Sequence, residues 1–323
     1  MISEMRVGVI RGGGGGEYDL SLATGGAVLK HIRDRSRSVV DILITKDGEW
    51  HAGGFPVTPA QIAGQVDVVF NALHGSFGES GNVQRTLSEF NIPHTGSLPF
   101  ASAIAMHKGL AKEVFATEGL STPRFSLVRP DDSIQEVAFR ISQTLASPYI
   151  IKPATEGSSL GVSIAYTLTD LVSAIEHASA HALSILVEEY IQGREVTCGV
   201  IESADSGELY ATPPLEILLP ENEDLFHYDI KRRNRVPRRD FSSEYAETAY
   251  KVQEQAKRAH QALDLRHYSR SDFIVTNDKI YLLETNSLPA LDDGALFPHG
   301  VTSAGLNASE FIDYVLTLAL RNK

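Results

Sequence analysis

The feature that most constrains the fold is an alternation of short apolar runs with segments of helical spacing over the first hundred residues. Apolar runs typical of strands occupy residues 5–10, 38–44 and 67–73, and helical spacing occupies residues 20–32 and 81–89. Strands that alternate with helices in this way are typical of parallel βαβ units. The sequence therefore predicts a first α/β domain that ends near residue 100.

The rest of the chain predicts a second series of strands and helices. Strands are expected at residues 124–128, 149–152, 184–190 and 195–201, helices at 101–118, 134–144, 168–178, 243–263 and 308–320, and a hairpin at 272–284. With 323 residues, of which 42% are hydrophobic, the chain is long enough for two or three modest domains.

The charge and the cysteine content exclude several functional classes. The formal net charge is −12, whereas proteins that bind duplex nucleic acid carry a basic surface, so no nucleic-acid partner is expected. Cys198 is the only cysteine, which excludes an intramolecular disulfide and suits a reducing compartment. No apolar run approaches the ~20 residues that a membrane span requires, and no signal peptide precedes the first strand. We therefore expect a cytoplasmic protein without a membrane partner.

A glycine-rich loop, RGGGGGEYDL at residues 11–20, follows the first predicted strand. Such a loop suggests a phosphate cradle, but a P-loop requires Lys-Ser/Thr after its last glycine, and here Glu17-Tyr18 follows. The dinucleotide-binding pattern also fits poorly, because Asp41 lies inside the second strand instead of at its end. An acid at the loop exit would repel phosphate and attract an ammonium group. The loop is interpreted either as the site of an amine-bearing substrate near Glu17 or as a surface turn with a solvated glutamate.

A second candidate segment surrounds Lys152, at residues 150–162. A buried strand delivers this lysine, and the small-residue loop EGSSLG follows it. Backbone N–H groups and two serine hydroxyls in such a loop can bind phosphate oxygens, and the lysine adds positive charge. Downstream, the strand at 185–191 contains two acids and Tyr190, which indicate either contacts to an adenine edge and a ribose or an amphipathic edge strand.

The strongest site pattern lies in the hairpin late in the chain. Pairing of its strands brings Asp272 close to Glu284 and Asn286, and the last two residues share one face. Two carboxylates and an amide oxygen suit Mg²⁺, with bound phosphates completing its shell. Arg270 lies two residues before Asp272, so it points to the same face, where a cation could stabilise developing negative charge. A surface salt bridge between Arg270 and an acid is the alternative interpretation.

Seven segments in this order resemble the D-alanine:D-alanine ligases of the ATP-grasp superfamily, over residues 7–320. The segments are GGGGGEYDLSL, NALHGSFGESGNVQ, HTGS with ASAIAMHK, IIKPATEGSSLGVS, LVEEYIQGREVT, SRSDF and LLETNSLP. The resemblance implies an ATP-grasp fold of three α/β domains, the first with a Rossmann-like parallel sheet. The expected bounds are 1–100 for the N-terminal substrate-binding domain, 101–182 for the central ATP-grasp subdomain, and 183–323 for the C-terminal ATP-grasp and catalytic domain.

The resemblance also implies a role for each matching residue. Glu17 would bind the ammonium of the first substrate, with Ser21 behind it and His74 nearby. The implied catalytic residues are Glu17, Ser158 and Arg270, the substrate contacts are Glu17, His74, Arg270, Ala290 and Leu296, the ATP contacts are Lys108, Lys152, Ser158, Glu188, Tyr190, Ile191 and Glu195, and the metal ligands are Asp272, Glu284 and Asn286.

The activity that the resemblance implies is ATP-dependent joining of two D-alanines through an acyl phosphate, for peptidoglycan synthesis. The expected cofactors are ATP and two Mg²⁺ ions, with Mn²⁺ as a substitute. The expected partners are small amino acids, and a homodimer is expected because family members are usually dimers.

The chain departs from the family pattern after the hairpin. Where the family has a glycine and, further on, a serine, this chain has Ala290 and Ala295, and Asp292 and Asp293 replace small polar groups. Loss of one donor to a charged carboxylate costs roughly 1.5–3 kcal/mol, so a related ligase with a different second substrate is the alternative function. A non-catalytic nucleotide-binding protein is the third. The basic run at 231–239 is interpreted either as a cover for phosphates or a carboxylate or as a solvated loop.

Overall fold

The computed structural model describes residues 5–34, 38–157, 161–180, 182–204, 206–218, 237–292 and 294–321. The named strands in these ranges form three sheets, of five, four and six strands. No helix within the described ranges is long and apolar enough to cross a bilayer.

The first sheet is built from the N-terminal strands and has a parallel centre. Its spatial order is β4 (Phe55–Pro56), β3 (Trp50–Ala52), β2 (Val39–Ile44), β1 (Val7–Gly12) and β5 (Val68–Asn71). Strand β1 pairs in parallel with β2 and β5, which confirms the predicted βαβ arrangement, whereas β3 and β4 add an unpredicted antiparallel hairpin. The helices of this region are α1 (Tyr18–Asp34), α2 (Pro59–Ala63), α3 (Gly75–Glu79) and α4 (Asn82–Glu89).

The segment predicted as one helix at 101–118 is in fact two helices, α5 (Pro99–Met106) and α6 (Lys108–Thr117). His107 lies between them with extended backbone angles, and its side chain accepts a hydrogen bond from the Leu110 N–H. The apolar spacing continues across this break, so the sequence pattern does not reveal it. The break makes Lys108 the first residue of α6, where its N–H donates to the carbonyl of Ala154 at 2.8 Å.

The second sheet is antiparallel and separates an apolar face from a charged one. Its order is β6 (Phe125–Val128), β9 (Ile185–Glu189), β7 (Tyr149–Pro153) and β8 (Ser163–Ala165). Helices α7 (Ile134–Thr144) and α8 (Leu168–Ser179) share an apolar core with Ile151 and Val187 of this sheet. Because side chains alternate between faces along a strand, Lys152 and Glu188 point to the opposite face.

The third sheet is also antiparallel and contains the predicted hairpin. Its order is β13 (Arg238–Asp240), β12 (Leu215–Ile217), β10 (Arg194–Glu202), β14 (Tyr268–Val275) and β15 (Ile280–Asn286), and β11 (Leu209–Ala211) pairs with β10. Helices α9 (Ala246–Ala262), α10 (Leu296–Ser303) and α11 (Ala308–Arg321) complete the described elements.

The buried cores link segments that are distant in the sequence. Phe115 of α6 shares a core with Val252 of α9 and Phe273 of β14. Val315 of α11 shares another core with Val9 of β1, so the C-terminal helix packs on the N-terminal sheet. These cores join the third sheet to α6 and to the N-terminal sheet, while the predicted domain bounds stay predictions.

Candidate active site

The hairpin β14–β15 presents a row of polar side chains on one face. Asp272 pairs directly with Glu284, as the sequence predicted, and Arg270 pairs with Asn286. The Arg270 guanidinium donates to Asp272 from Nε at 2.9 Å and from Nη2 at 2.8 Å. Burial lowers the pKa of Arg270, but the charge and hydrogen bonds of Asp272 raise it above its usual value. The arginine is therefore a fixed cation. Because both partners are largely buried, the pair is not the surface salt bridge of the alternative interpretation.

The proposed metal ligands offer oxygen atoms only, as Mg²⁺ requires. The Asp272 carboxylate is oriented further by the hydroxyl of Thr197 on β10, which donates to it at 2.6 Å. The Asn286 amide oxygen accepts from the Leu288 N–H at 3.0 Å, which fixes the amide. In the ranges that the structure describes, no three His, Cys, Asp or Glu side chains lie close enough together to hold a metal ion. A metal ion bound by Asp272 and Glu284 would therefore also need the Asn286 amide oxygen and oxygens from a bound ligand.

Lys108 connects the loop after β7, which contains Glu156 and Gly157, to the hairpin. From the first turn of α6 its ammonium donates to the carbonyl of Glu156 at 2.7 Å and lies 3.4 Å from a carboxylate oxygen of Glu284. The lysine is thus placed beside the loop that follows β7 and beside a proposed metal ligand. This position agrees with a lysine that holds phosphate oxygens.

Lys152 and Glu188 lie together on the charged face of the second sheet, and a residue that sequence reasoning missed joins them. Lys152 Nζ is 2.8 Å from Glu188 Oε2, and Lys112 Nζ is 2.7 Å from Glu188 Oε1. Lys112 follows Lys108 by four residues, so both lysines lie on one face of α6. That spacing was visible in the sequence, but burial of Lys112 was not.

The carboxylate of Glu17 lies close to Gly75, at the start of α3, and to Gly157, in the loop after β7. A methyl group added at Gly75 or at Gly157 would overlap with Glu17 Oε2. Gly75 also has φ of +68°, a conformation that favours glycine. The Ser21 hydroxyl accepts from the Gly12 N–H and donates to the carbonyl of Ala72, both at 2.8 Å, and its place behind this carboxylate stays a prediction.

His74 is buried and neutral. Its Nδ1 lies 3.0 Å from the carbonyl of Leu288, which can only accept, so Nδ1 carries the proton and Nε2 accepts from the Thr24 hydroxyl at 2.8 Å. Burial lowers the pKa of His74 to about 4, and the charge of Arg270 acts in the same direction. The ring therefore ties α1 to the segment after β15 and is not an acid or base near neutral pH.

Glu79 is a second buried group that the sequence did not single out. One of its carboxyl oxygens accepts from the Gly75 N–H at 3.1 Å. Burial raises the pKa of Glu79 to about 8, and the charge of Glu17 adds to this effect. Its acid proton thus limits negative charge around Glu17 at neutral pH.

These groups surround one cavity of about 160 Å³. Among the predicted site residues, its lining includes Glu17, His74, Lys108, Arg270, Glu284, Asn286, Ala290 and Leu296. The structure thus brings together residues from all three sheet regions. Lys152, Glu188 and Asp272 stand behind the lining and contact residues that form it or one another.

Four predicted residues stand apart from this cavity or from the described ranges. Tyr190 and Ile191 follow β9 and are half-buried, and Glu195 lies on β10 with a charge that helps to raise the pKa of Lys152. Ser158 lies outside the described residues, so its predicted role stays a prediction.

Part of the cavity wall is formed by residues that follow the hairpin in the chain, namely Ala290, Asp292, Gly294, Ala295 and Leu296. Ala290, Ala295 and Leu296 make it largely apolar, and Asp292 adds a carboxylate. Arg238 donates to the carbonyl of Gly294 at 3.0 Å, so the end of the basic run contacts this wall.

The rest of the basic run is only partly described. Arg239 is paired with Glu216 at 2.7 Å and with Glu244 at 3.1 Å, so it stabilises the edge of the third sheet. Residues 231–236 of the run lie outside the described ranges.

The three sheets and a cavity lined by a lysine, an arginine and carboxylates define an α/β protein of the ATP-grasp class. A sequence profile described as "D-ala D-ala ligase C-terminus" matches residues 114–317. The D-alanine–D-alanine ligase of Desulfotalea psychrophila is 35% identical over 98% of this chain and 95% of its own length. That of Geobacter sulfurreducens is 34% identical over 97% and 94%. The chain belongs to the D-alanine–D-alanine ligase family.

Solved structures agree with this assignment. The VanG D-Ala:D-Ser ligase from Enterococcus faecalis superimposes with a TM-score of 0.83 at 27% identity, covering 98% of this chain and 99% of its own. The D-alanine–D-alanine ligase from Bacillus anthracis complexed with ATP gives a TM-score of 0.82 at 26% identity, covering 98% of both chains.

Proposed function

We propose that this chain is an ATP-dependent ligase that joins two D-alanines into the dipeptide used in peptidoglycan synthesis. One observation carries the proposal. A single cavity is lined by Glu17, Lys108 and Arg270, which suit an ammonium, phosphates and a developing oxyanion, respectively. A protein that only bound nucleotide would not need the arginine.

The first half of the reaction activates a carboxylate. The ammonium of the first D-alanine pairs with Glu17, and its carboxylate attacks the γ-phosphate of ATP, which yields an acyl phosphate and ADP. Lys108 and Lys152 hold phosphate oxygens and offset the charge on the transferring group. Glu188, Tyr190, Ile191 and Glu195 are proposed to hold adenine and ribose.

The second half forms the peptide bond. The amine of the second D-alanine, after loss of a proton, attacks the activated carbonyl, and phosphate leaves. Arg270 and Ala290 both line the cavity, which supports the proposal that the guanidinium and the Ala290 N–H stabilise the oxyanion of the tetrahedral intermediate. Exclusion of water protects the acyl phosphate, and closure of the loop that contains Ser158 is proposed to complete this exclusion.

Asp272, Glu284 and Asn286 are proposed to hold two Mg²⁺ ions, for which Mn²⁺ would substitute. Bound there, the ions would neutralise charge on the phosphates. The donor chemistry supports this, because all three side chains offer oxygens and two of them are directly paired across the hairpin.

A second candidate keeps the fold and ATP but uses another second substrate. Ala295 and Leu296 present an apolar wall without a side-chain hydroxyl for a substrate carboxylate. The structural similarity to a ligase named for D-Ala and D-Ser supports this option as well.

One assay separates the candidates. The protein is incubated with Mg-ATP and D-alanine alone, or with D-alanine plus a panel of D-amino and D-hydroxy acids, and phosphate release and product mass are measured. We expect D-alanine-dependent phosphate release and dialanine, and loss of both with EDTA. Turnover only with a mixed pair would support the second candidate, and ATP binding without turnover would overturn both.

The predicted homodimer and the predicted cytoplasmic location belong to this proposal. Light scattering of the purified protein measures the first, and cell fractionation measures the second.

A further inference from the structure

Lys112 is a fully buried lysine that no substrate can reach directly. Its side chain has 0% exposure, and it is not among the described residues that line the cavity. Its ammonium contacts Glu188 Oε1 at 2.7 Å and the hydroxyl of Thr122, and it lies 5.8 Å from the centre of the Phe125 ring. Burial of a lysine is unfavourable unless it is paired, so this arrangement requires a compensating partner.

The partner, Glu188, is shared between two lysines. One carboxylate oxygen faces Lys112, and the other faces Lys152 at 2.8 Å. Ile150 of β7 pairs with Glu188 of β9, and Lys152 pairs with Leu186, so Lys152 and Glu188 are diagonal neighbours on the charged face of this sheet.

Two lysines on one carboxylate leave a net positive charge. If Glu188 contacted Lys152 alone, the pair would be neutral, and the carboxylate would be free to approach the lysine from either oxygen. With Lys112 holding one oxygen, the group of three carries one positive charge in a buried setting, where interactions with phosphates are strong. Burial lowers the pKa of Lys112 to about 8, with Glu188 opposing, so the lysine keeps its charge at pH 7.

We propose that Lys112 is a positioning residue for ATP binding, which acts through Glu188 to fix the Lys152 ammonium and to keep the group of three positively charged. The inference rests on the proposed binding of ATP at this site. Under this proposal Lys112 increases the affinity for ATP and does not affect the binding of the amino acids.

The test compares Lys112→Met with wild type. Affinity for Mg-ATP is measured by isothermal titration calorimetry, and kcat and both KM values are measured by phosphate release. We expect at least a tenfold loss of ATP affinity and a matching rise in KM for ATP, with KM for D-alanine changed less than twofold. Lys251→Met is the matched control, because Lys251 is an exposed lysine that pairs with Glu247 on the surface of α9.

A double-mutant cycle separates positioning from a general loss of structure. If Lys112 acts through Glu188, then Lys112→Met should lower ATP affinity clearly less in the Glu188→Gln background than in wild type. A lower unfolding temperature with unchanged ATP affinity, or additive effects in the cycle, would overturn the proposal. If Lys112→Met does not fold, Lys112→Gln retains a hydrogen-bond donor, and the same loss of affinity is expected of it.

The calorimetric readout does not depend on ligase activity. A wild-type protein that binds ATP but turns over no amino acid would overturn the proposed function and leave the Lys112 measurement intact.

Discussion

Arg270 and Asp272, two residues apart on β14, form a two-point ion pair with donor–acceptor distances of 2.9 and 2.8 Å, and the arginine of the pair lines the cavity. A β-bulge follows immediately, between Asp272 and Phe273. Bulges re-aim side chains and are common beside functional sites. The pair holds the guanidinium plane, so the arginine does not need to reorganise when negative charge develops near it.

We therefore expect Asp272→Asn to lower kcat at least ~100-fold. The neutral amide no longer forms an ion pair with Arg270, and it is a poorer metal ligand than the carboxylate. The measurement is phosphate release at saturating substrates, with circular dichroism to confirm the fold. Asp278→Asn is the matched control, since Asp278 is exposed in the turn of the same hairpin. Wild-type turnover in Asp272→Asn would remove this pair from the mechanism.

The contact of Glu17 with two glycines gives a second prediction. Gly157→Ala places a methyl group onto the Glu17 carboxylate, so the carboxylate must move. A displacement of about 1 Å at such a site costs up to ~100-fold in rate, and we expect kcat/KM for D-alanine to fall 10- to 100-fold.

Gly26→Ala is the control for this variant. Gly26 lies in α1 with no atom within 4 Å of the added carbon, so the change should leave activity unchanged and stabilise the helix by up to ~1 kcal/mol. Equal activity of the two variants would show that Glu17 does not need its present position.

The sequence predicted the geometry of the hairpin because its signals are local. The alternation of side chains along two paired strands is enough to place Asp272, Glu284 and Asn286 on one face, and the register of β14 and β15 agrees. The parallel centre of the first sheet followed from the apolar periodicity in the same way.

Other features depend on contacts between distant segments, which apolar spacing does not encode. Lys112 looks like a surface lysine in the sequence, because its partner Glu188 is 76 positions away. His107 interrupts a helix through its backbone angles while the apolar pattern continues.

The hairpin β3–β4 is a different case, since a signal was present. Gly53 and Gly54 separate its strands, and both have positive φ, as a tight hairpin turn requires. Short strands of two and three residues gave too little alternation for a prediction.

The cavity wall gives a third prediction. Ala295 is the N-cap residue of α10, and its side chain makes no capping hydrogen bond. Ala295→Ser should add a cap worth ~1 kcal/mol, which corresponds to a rise in unfolding temperature of about 2–4 °C. If the hydroxyl also reaches the carboxylate of the second D-alanine, its KM should fall up to about tenfold.

Ala295→Gly separates these two effects. Glycine caps almost as well as serine but offers no hydroxyl, so it should raise the unfolding temperature without lowering KM. A lower KM in both variants would show that the hydroxyl does not contact the substrate, and no change of KM in either would place the carboxylate elsewhere.

The fourth prediction concerns acid stability and His267. This residue is buried, has φ of +68°, and accepts a hydrogen bond at Nδ1 from the Gly96 N–H at 3.1 Å. Burial lowers its pKa to about 4, with Arg266 and His94 acting in the same direction and Glu202 opposing.

Between pH 6.5 and 4 the unfolded chain therefore binds more protons at His267 than the folded chain does, so the free energy of unfolding falls as the pH falls through this window. His267→Asn removes the titration and keeps a residue type that tolerates positive φ. We expect the variant to lose less stability than wild type between pH 7 and pH 4.5, measured by urea unfolding at each pH. His177→Asn, at an exposed histidine of α8, should retain the wild-type slope. Equal slopes for His267→Asn and wild type would show that His267 is not among the groups whose protonation drives acid unfolding.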